Sequence, residues 1–181
     1  MIFALALAEG FKQTVHDKAA DPKDPVLYRD KIIGLFSFLF LIIPFYQGTI
    51  RFYGHFYSDT GALPNHYSFY IMFDSLAFLC EAALFFLMSR ALSPVHWVTF
   101  YGAVVTLLWF DTVWVWATTE LHSNQPPAIW VVLNLIFGAA AMAMIFARSK
   151  LSNETAVRIG FVGLLARTIS DYTFSWNFYF P

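Results

Sequence analysis

The sequence predicts an all-α fold, a polytopic transmembrane helical bundle of five spans with an amphipathic interfacial helix at its N-terminus; four spans is the alternative. Three observations carry this. Of 181 residues, 59% are hydrophobic and only 13% are charged, about half the charged share of an ordinary soluble domain. Four apolar runs reach the roughly 20 residues that take a helix across about 30 Å of hydrocarbon, and a fifth nearly does. Nine of the eleven Lys and Arg residues (Lys12, Lys18, Lys23, Arg29, Lys31, Arg90, Arg148, Lys150 and Arg158) flank those runs on what alternation makes one face, while Arg51 and Arg167 lie inside them. The expected division is a cytoplasmic-side helix and linker over 1–31 and a transmembrane domain over 32–181.

Each element has its own signal. Residues 1–17 open apolar and then mix Phe11 and Val15 with Lys12, Gln13 and Asp17, the pattern of a helix lying in the interface. The apolar front lacks the basic n-region of a signal peptide and is expected to be retained. Residues 18–30, with Lys, Asp and two prolines, read as a polar linker. The first span covers 32–53 and can run on to Tyr57. It holds Pro44, tolerated in a membrane helix where neighbours satisfy the freed carbonyl. The second covers 67–88 and contains the lone cysteine, Cys80, which excludes an intrachain disulfide. Ser93 and Pro94 read as N-cap and first residue of a third span over 95–117. Pro126 and Pro127 open the fourth, 128–147, where Gly138 and the Ala139-xxx-Ala143 pair permit close helix approach.

The fifth run, 155–176, begins behind a Ser152 cap and contains Arg158, Arg167 and Asp171, so a surface amphipathic helix is its alternative. Two features favour insertion: the apolar stretch from Gly160 to Ala166, and a terminal aromatic cluster of Trp176, Phe178, Tyr179 and Phe180 that suits an interfacial belt. Gly160, Gly163, Ala166 and Ser170 give it a small-residue face. Basic loops are expected on the cytoplasmic side, which places the N-terminus inside and Pro181 outside, in what is read as a bacterial inner membrane.

At 1.5 Å per residue, Asp74, Asp111, Asn134 and Asp171 fall at a common depth about 10 Å below the outer surface, joined by Arg51 if the first helix reaches Tyr57. Glu81 follows Asp74 by seven residues and shares its face. Arg167 lies between those two depths. The expected pairings are Arg167 with Asp74 or Glu81, and Arg51 with Asp111 or Asp171, because Arg binds carboxylates bidentately. Four carboxylates against two arginines leave two negative charges to be protonated, hydrated or matched by a cation; structural ion pairs with interfacial leftovers are the plainer reading.

Other constellations are weaker. His55, His66 and His122 fall near the outer face with Asp59 between the first two, yet their spacing matches no metal motif. No His is central, which argues against a b-type haem. The six Trp residues, Trp97, Trp109, Trp114, Trp116, Trp130 and Trp176, mostly fall near predicted helix ends, where interfacial Trp belongs. No hydrolase, zinc-protease, phosphate-loop or dinucleotide motif is present, and an Asp74–Asp111 dyad lacks flanking glycine-rich signals. No catalytic residue, metal or cofactor is expected, and no nucleic-acid partner. The expected function is a membrane sensor or scaffold subunit, self-associating in the lipid bilayer, with a cytoplasmic face for a soluble protein partner, in the context of a bacterial stress or defence component. A small cation or proton channel or carrier using the unpaired carboxylates is the alternative, and a cofactor-binding or enzymatic bundle comes third.

Overall fold

The computed structural model describes residues 2–20, 25–58, 67–121 and 128–181. Helix is the only regular structure among them: α1 (Ile2–Ala20), α2 (Pro25–Tyr53), α3 (Tyr67–Arg90), α4 (Trp97–Leu121), α5 (Ile129–Phe146), α6 (Asn153–Phe174) and the short α7 (Trp176–Tyr179). Four stretches are long and apolar enough to cross a membrane, Arg29–Tyr57, Ser68–Arg90, Pro94–Thr119 and Ile129–Phe146. The chain is an integral membrane protein.

The expected linker over 18–30 is largely helical: α1 takes in 18–20, and α2 starts at Pro25, where a missing N–H costs nothing at the first helical position. It ends in a π-helical turn, Gly54–Ser58, so the first helix does reach Tyr57. Pro44 cannot bond the carbonyl of Phe40. Thr168 of α6 donates its hydroxyl to that carbonyl instead, the kind of neighbourly repair an apolar medium demands. Ser37 and Thr49 return their hydroxyls to the Ile33 and Phe45 carbonyls within α2.

α6 carries Glu154, Arg158, Arg167 and Asp171, which lower its mean hydropathy, but it packs along α2 and α5 as a member of the bundle. Ser152 accepts a hydrogen bond from the Thr155 N–H at 3.2 Å and caps its start. The helix is seated by a bare backbone: a Cβ on Gly160 would stand 2.0 Å from the Tyr101 ring of α4. Gly138 similarly admits Trp109 against α5, 2.5 Å from where a Cβ would be. Both close approaches lie within one protomer, whereas Ala139 and Ala143 face outward.

α1 runs alongside α3 rather than across the helix ends. Phe3 meets Phe85 at 5.5 Å and Tyr46 at 5.4 Å between ring centroids, and seven residues later Gly10 meets Phe38 and Leu92. A seven-residue advance on α1 thus takes the contact from Phe85 of α3 to Leu92, just past its end, so the two helices run side by side. Its buried stripe includes Ala6, Gly10 and Thr14, while Leu5, Phe11 and Val15 stay exposed.

The interior divides into two apolar clusters. One, toward the basic end, gathers Phe38, Leu41, Phe85, Met88, Leu107 and Leu108. The other is aromatic, with Phe52, Phe56, Phe78, Trp114, Trp130 and Tyr179. Charged side chains occupy the seam between them.

Candidate intramembrane charged site

α3 places Asp74 and Glu81 two turns apart on one inward face, both with no solvent exposure. Asp74 is held by neutral donors. Its Oδ1 accepts from the Trp114 indole N–H at 2.9 Å, and its Oδ2 accepts from the Tyr57 hydroxyl. The expected bridge from Arg167 to Asp74 or Glu81 is therefore replaced: aromatic N–H and O–H groups at the same depth reach Asp74 first, and Arg167 turns elsewhere.

Arg167, 2% exposed, donates through Nη2 to the Asn134 side-chain oxygen at 2.9 Å, while its Nη1 lies 3.5 Å from Asp171 Oδ2, one helical turn away. Its guanidinium carbon sits 5.0 Å from the centroid of the Phe45 ring, a desolvated cation–π contact. Asn134 passes the interaction on: its Nδ2 donates to Asp111 Oδ2, so one amide satisfies a guanidinium at one end and a carboxylate at the other. Asp171 collects the Trp130 indole N–H at 2.9 Å and the Tyr179 hydroxyl at 3.1 Å.

Arg51 takes no part. It is exposed, and its expected pairing with Asp111 or Asp171 does not occur. Depth along an axis was readable from residue count; the direction around the axis was not.

Glu81 is the anomaly. No neighbouring donor reaches either carboxylate oxygen, and the group within hydrogen-bonding reach is the Asp111 carboxyl. Two ionised carboxylates offer only acceptors to each other, so a hydrogen bond between them requires a proton between them. Across the same space, Nε of Arg167 has no hydrogen-bond acceptor, and Nη1 has only the longer ion-pair contact to Asp171. Buried polar atoms are satisfied as a rule, and here donors and acceptors converge on one cavity of about 30 Å³. That is room for about two waters. Its walls are Phe52, Phe78, Trp114, Trp130 and Tyr179, and its polar members are Glu81, Asp111, Arg167 and Asp171. Four buried carboxylates against one buried guanidinium would give −4 + 1 = −3 if all were ionised, a larger excess than the sequence count implied, and burying uncompensated charge is costly.

The aromatic partners were missed. Trp114, Trp130 and Tyr179 are 4%, 7% and 2% exposed, whereas their positions suggested interfacial anchors; Trp97 is also buried, Trp109 is exposed but at the middle of α4, and Trp116 and Trp176 are exposed near helix ends. The usable signal was that an indole or phenol at the depth of a carboxylate is a donor in search of an acceptor. Among the described residues no three His, Cys, Asp or Glu side chains stand together as metal ligands. His55 is exposed, and His66, His122 and Asp59 lie outside the described residues. Comparison with protein-family models, with curated proteins and with solved structures finds no match to this chain.

Proposed function

We propose that the protein is a small proton- or cation-linked carrier whose exchangeable site is the Glu81–Asp111 carboxyl pair, in a five-span bundle with its basic end in the cytoplasm. Glu81 is the observation that supports this: a fully buried acid that no neighbouring donor reaches, within hydrogen-bonding reach of a second acid beside a cavity with room for about two waters. A scaffold role accounts for Arg167 with Asp171 and Asn134, but it leaves Glu81 as a cost of about 1–3 kcal/mol with no return. A bound proton or small cation removes that cost and reduces the surplus negative charge. Ionisable groups inside a membrane most often mark such a path.

A carrier fits better than an open pore. Toward the basic end the cavity is closed by Leu41, Phe85, Leu107 and Leu108, all 0% exposed, so passage needs a repacking of helices. Pro44 lines the cavity and supplies a point where α2 can bend.

The test is flux in proteoliposomes carrying an internal pH indicator, with imposed proton, sodium or potassium gradients, comparing wild type with Glu81→Gln. Gln keeps the volume and removes the exchangeable acid. Wild-type flux that falls at least about tenfold in the variant, with unchanged helicity and elution volume, supports the assignment. Correctly inserted wild type without flux, or a variant as active as wild type, overturns it.

A further inference from the structure

At the basic end, away from the charged site, α1, α2 and the α3–α4 connection enclose a second cavity of about 220 Å³. Gln13 and Thr14 line it from α1, Lys31 from α2, Arg90 from the end of α3, and Ser93 and His96 from the connection. Its described lining is cationic and polar. Two cationic side chains, an imidazole, two hydroxyls and a carboxamide converge, and no carboxylate among the described residues lines it. Of the described carboxylates near in sequence, Glu9 accepts from Gln13 at 2.8 Å and lies 4.0 Å from Lys12, and Asp30 lies 3.6 Å from Arg29.

The donors suit an anion. The Thr14 proton goes to the Gly10 carbonyl at 2.9 Å, but Ser93 makes no side-chain cap bond to the turn that follows it. Its hydroxyl is free to face the cavity. The 3₁₀ turn Pro94–His96 leads directly into α4, so the positive end of a 25-residue helix adds to the field of Lys31 and Arg90. The volume falls short of the about 300–1,000 Å³ typical of drug-sized ligands and suits a group the size of a phosphate.

We propose that this cavity binds a phosphate group, and that the phosphate belongs to the headgroup of an anionic lipid. The lipid source is argued from the flank. Val95, beside His96, is 66% exposed, and Phe11 and Val15, on the same turns of α1 as Gln13 and Thr14, are 49% and 64% exposed. Hydrocarbon therefore reaches the level of the cavity, and a headgroup can enter it while its acyl chains lie against that flank. Basic pockets between helices at a membrane boundary take lipid headgroups on the same grounds. This proposal does not depend on the Glu81–Asp111 site.

The full chain in a neutral detergent is titrated with dioleoylphosphatidylglycerol, dioleoylphosphatidylcholine or inorganic phosphate at constant ionic strength. The readouts are the thermal unfolding midpoint and the lipid phosphorus retained after washing. Arg90→Gln is compared with Arg148→Gln, an equally exposed cation outside the cavity; His96→Gln replaces the first if the unliganded midpoint falls. The expected result is stabilisation by the glycerol lipid beyond the choline lipid, with apparent affinity weakened at least about tenfold by Arg90→Gln and unchanged by Arg148→Gln. Equal Arg90-dependent stabilisation by inorganic phosphate keeps the phosphate site but overturns its lipid source. No preference between the lipids together with no phosphate effect, or equal losses in the two arginine variants, overturns the site.

Discussion

Replacing Gly160 by Ala probes whether α6 is seated where the charged site needs it. A Cβ there would lie 2.0 Å from both Cζ and the hydroxyl oxygen of Tyr101, so the ring must retreat about 1.5 Å to restore a 3.5 Å contact. It has little freedom to do so: Tyr101 is 3% exposed, its ring is 5.0 Å from that of Phe100, and its hydroxyl faces the Val157 carbonyl at 3.5 Å. Overpacking of this kind costs about 1–3 kcal/mol, and the body of a ring yields less readily than a chain end, which argues for about 3. Ala gains about 1 kcal/mol over Gly in helix propensity, leaving about 2 kcal/mol of net destabilisation. Gly163, on the same helix, has nothing within 4 Å of its Cβ position, so Gly163→Ala should stabilise by up to about 1 kcal/mol. The two substitutions should therefore differ by about 3 kcal/mol in reversible unfolding of the full chain in mixed micelles, followed by Trp fluorescence. Tyr101→Leu in both backgrounds should relieve most of the penalty at Gly160 alone. If Gly160→Ala and Gly163→Ala agree within about 0.5 kcal/mol, α6 is not against Tyr101, and the placement of Arg167 falls with it.

Two further substitutions separate buried polar roles from exposed ones. Arg167→Met should cost about 3–5 kcal/mol in the same unfolding assay, because Asp171 loses its cation and Asn134 its donor; the exposed Arg51→Met should stay within about 0.5 kcal/mol, and a large effect there would restore Arg51 to the charged layer. Trp114→Phe deprives Asp74 Oδ1 of its indole donor, so a loss of about 1–3 kcal/mol is expected, and a neutral result would mean that the Tyr57 hydroxyl alone suffices.

Run length, proline placement and the Ser152 cap made the helices legible, since apolar length and start signals are local properties of the chain. The depth of Asp111, Asn134, Arg167 and Asp171 followed from counting residues, and the four are now found in hydrogen-bond or ion-pair contact. Rotation about each axis was another matter. α4 is apolar almost all round, so no amphipathic stripe announces that Trp114 points inward and Trp116 outward. Arg51 on α2 differs from its expected place for the same reason, since residue count gives its depth but not its direction around the axis. Partner choice was harder still. The i,i+4 spacing of Arg167 and Asp171 was visible and compatible with a pair, but opposite charge drew attention across helices first. Aromatic N–H and O–H donors were read as lipid anchors because that is their commoner use, and only three-dimensional proximity separates the two roles.

The bond from Thr168 to the Phe40 carbonyl has a consequence for biogenesis. Its partners lie 128 residues apart, and they are not alone: Tyr172 reaches Gln47 and Arg29 reaches Glu154 across 125 residues each. During synthesis α2 enters the bilayer long before α6 exists, with an open carbonyl below Pro44 and no donor to close it. The helix around Pro44 is thus completed by α6, and a chain stalled before α6 presents quality-control machinery with a membrane helix that still carries an unmet polar group. Closure of the break at Pro44 therefore waits on α6, so the contacts of α2 can be completed only after residue 168 has been made.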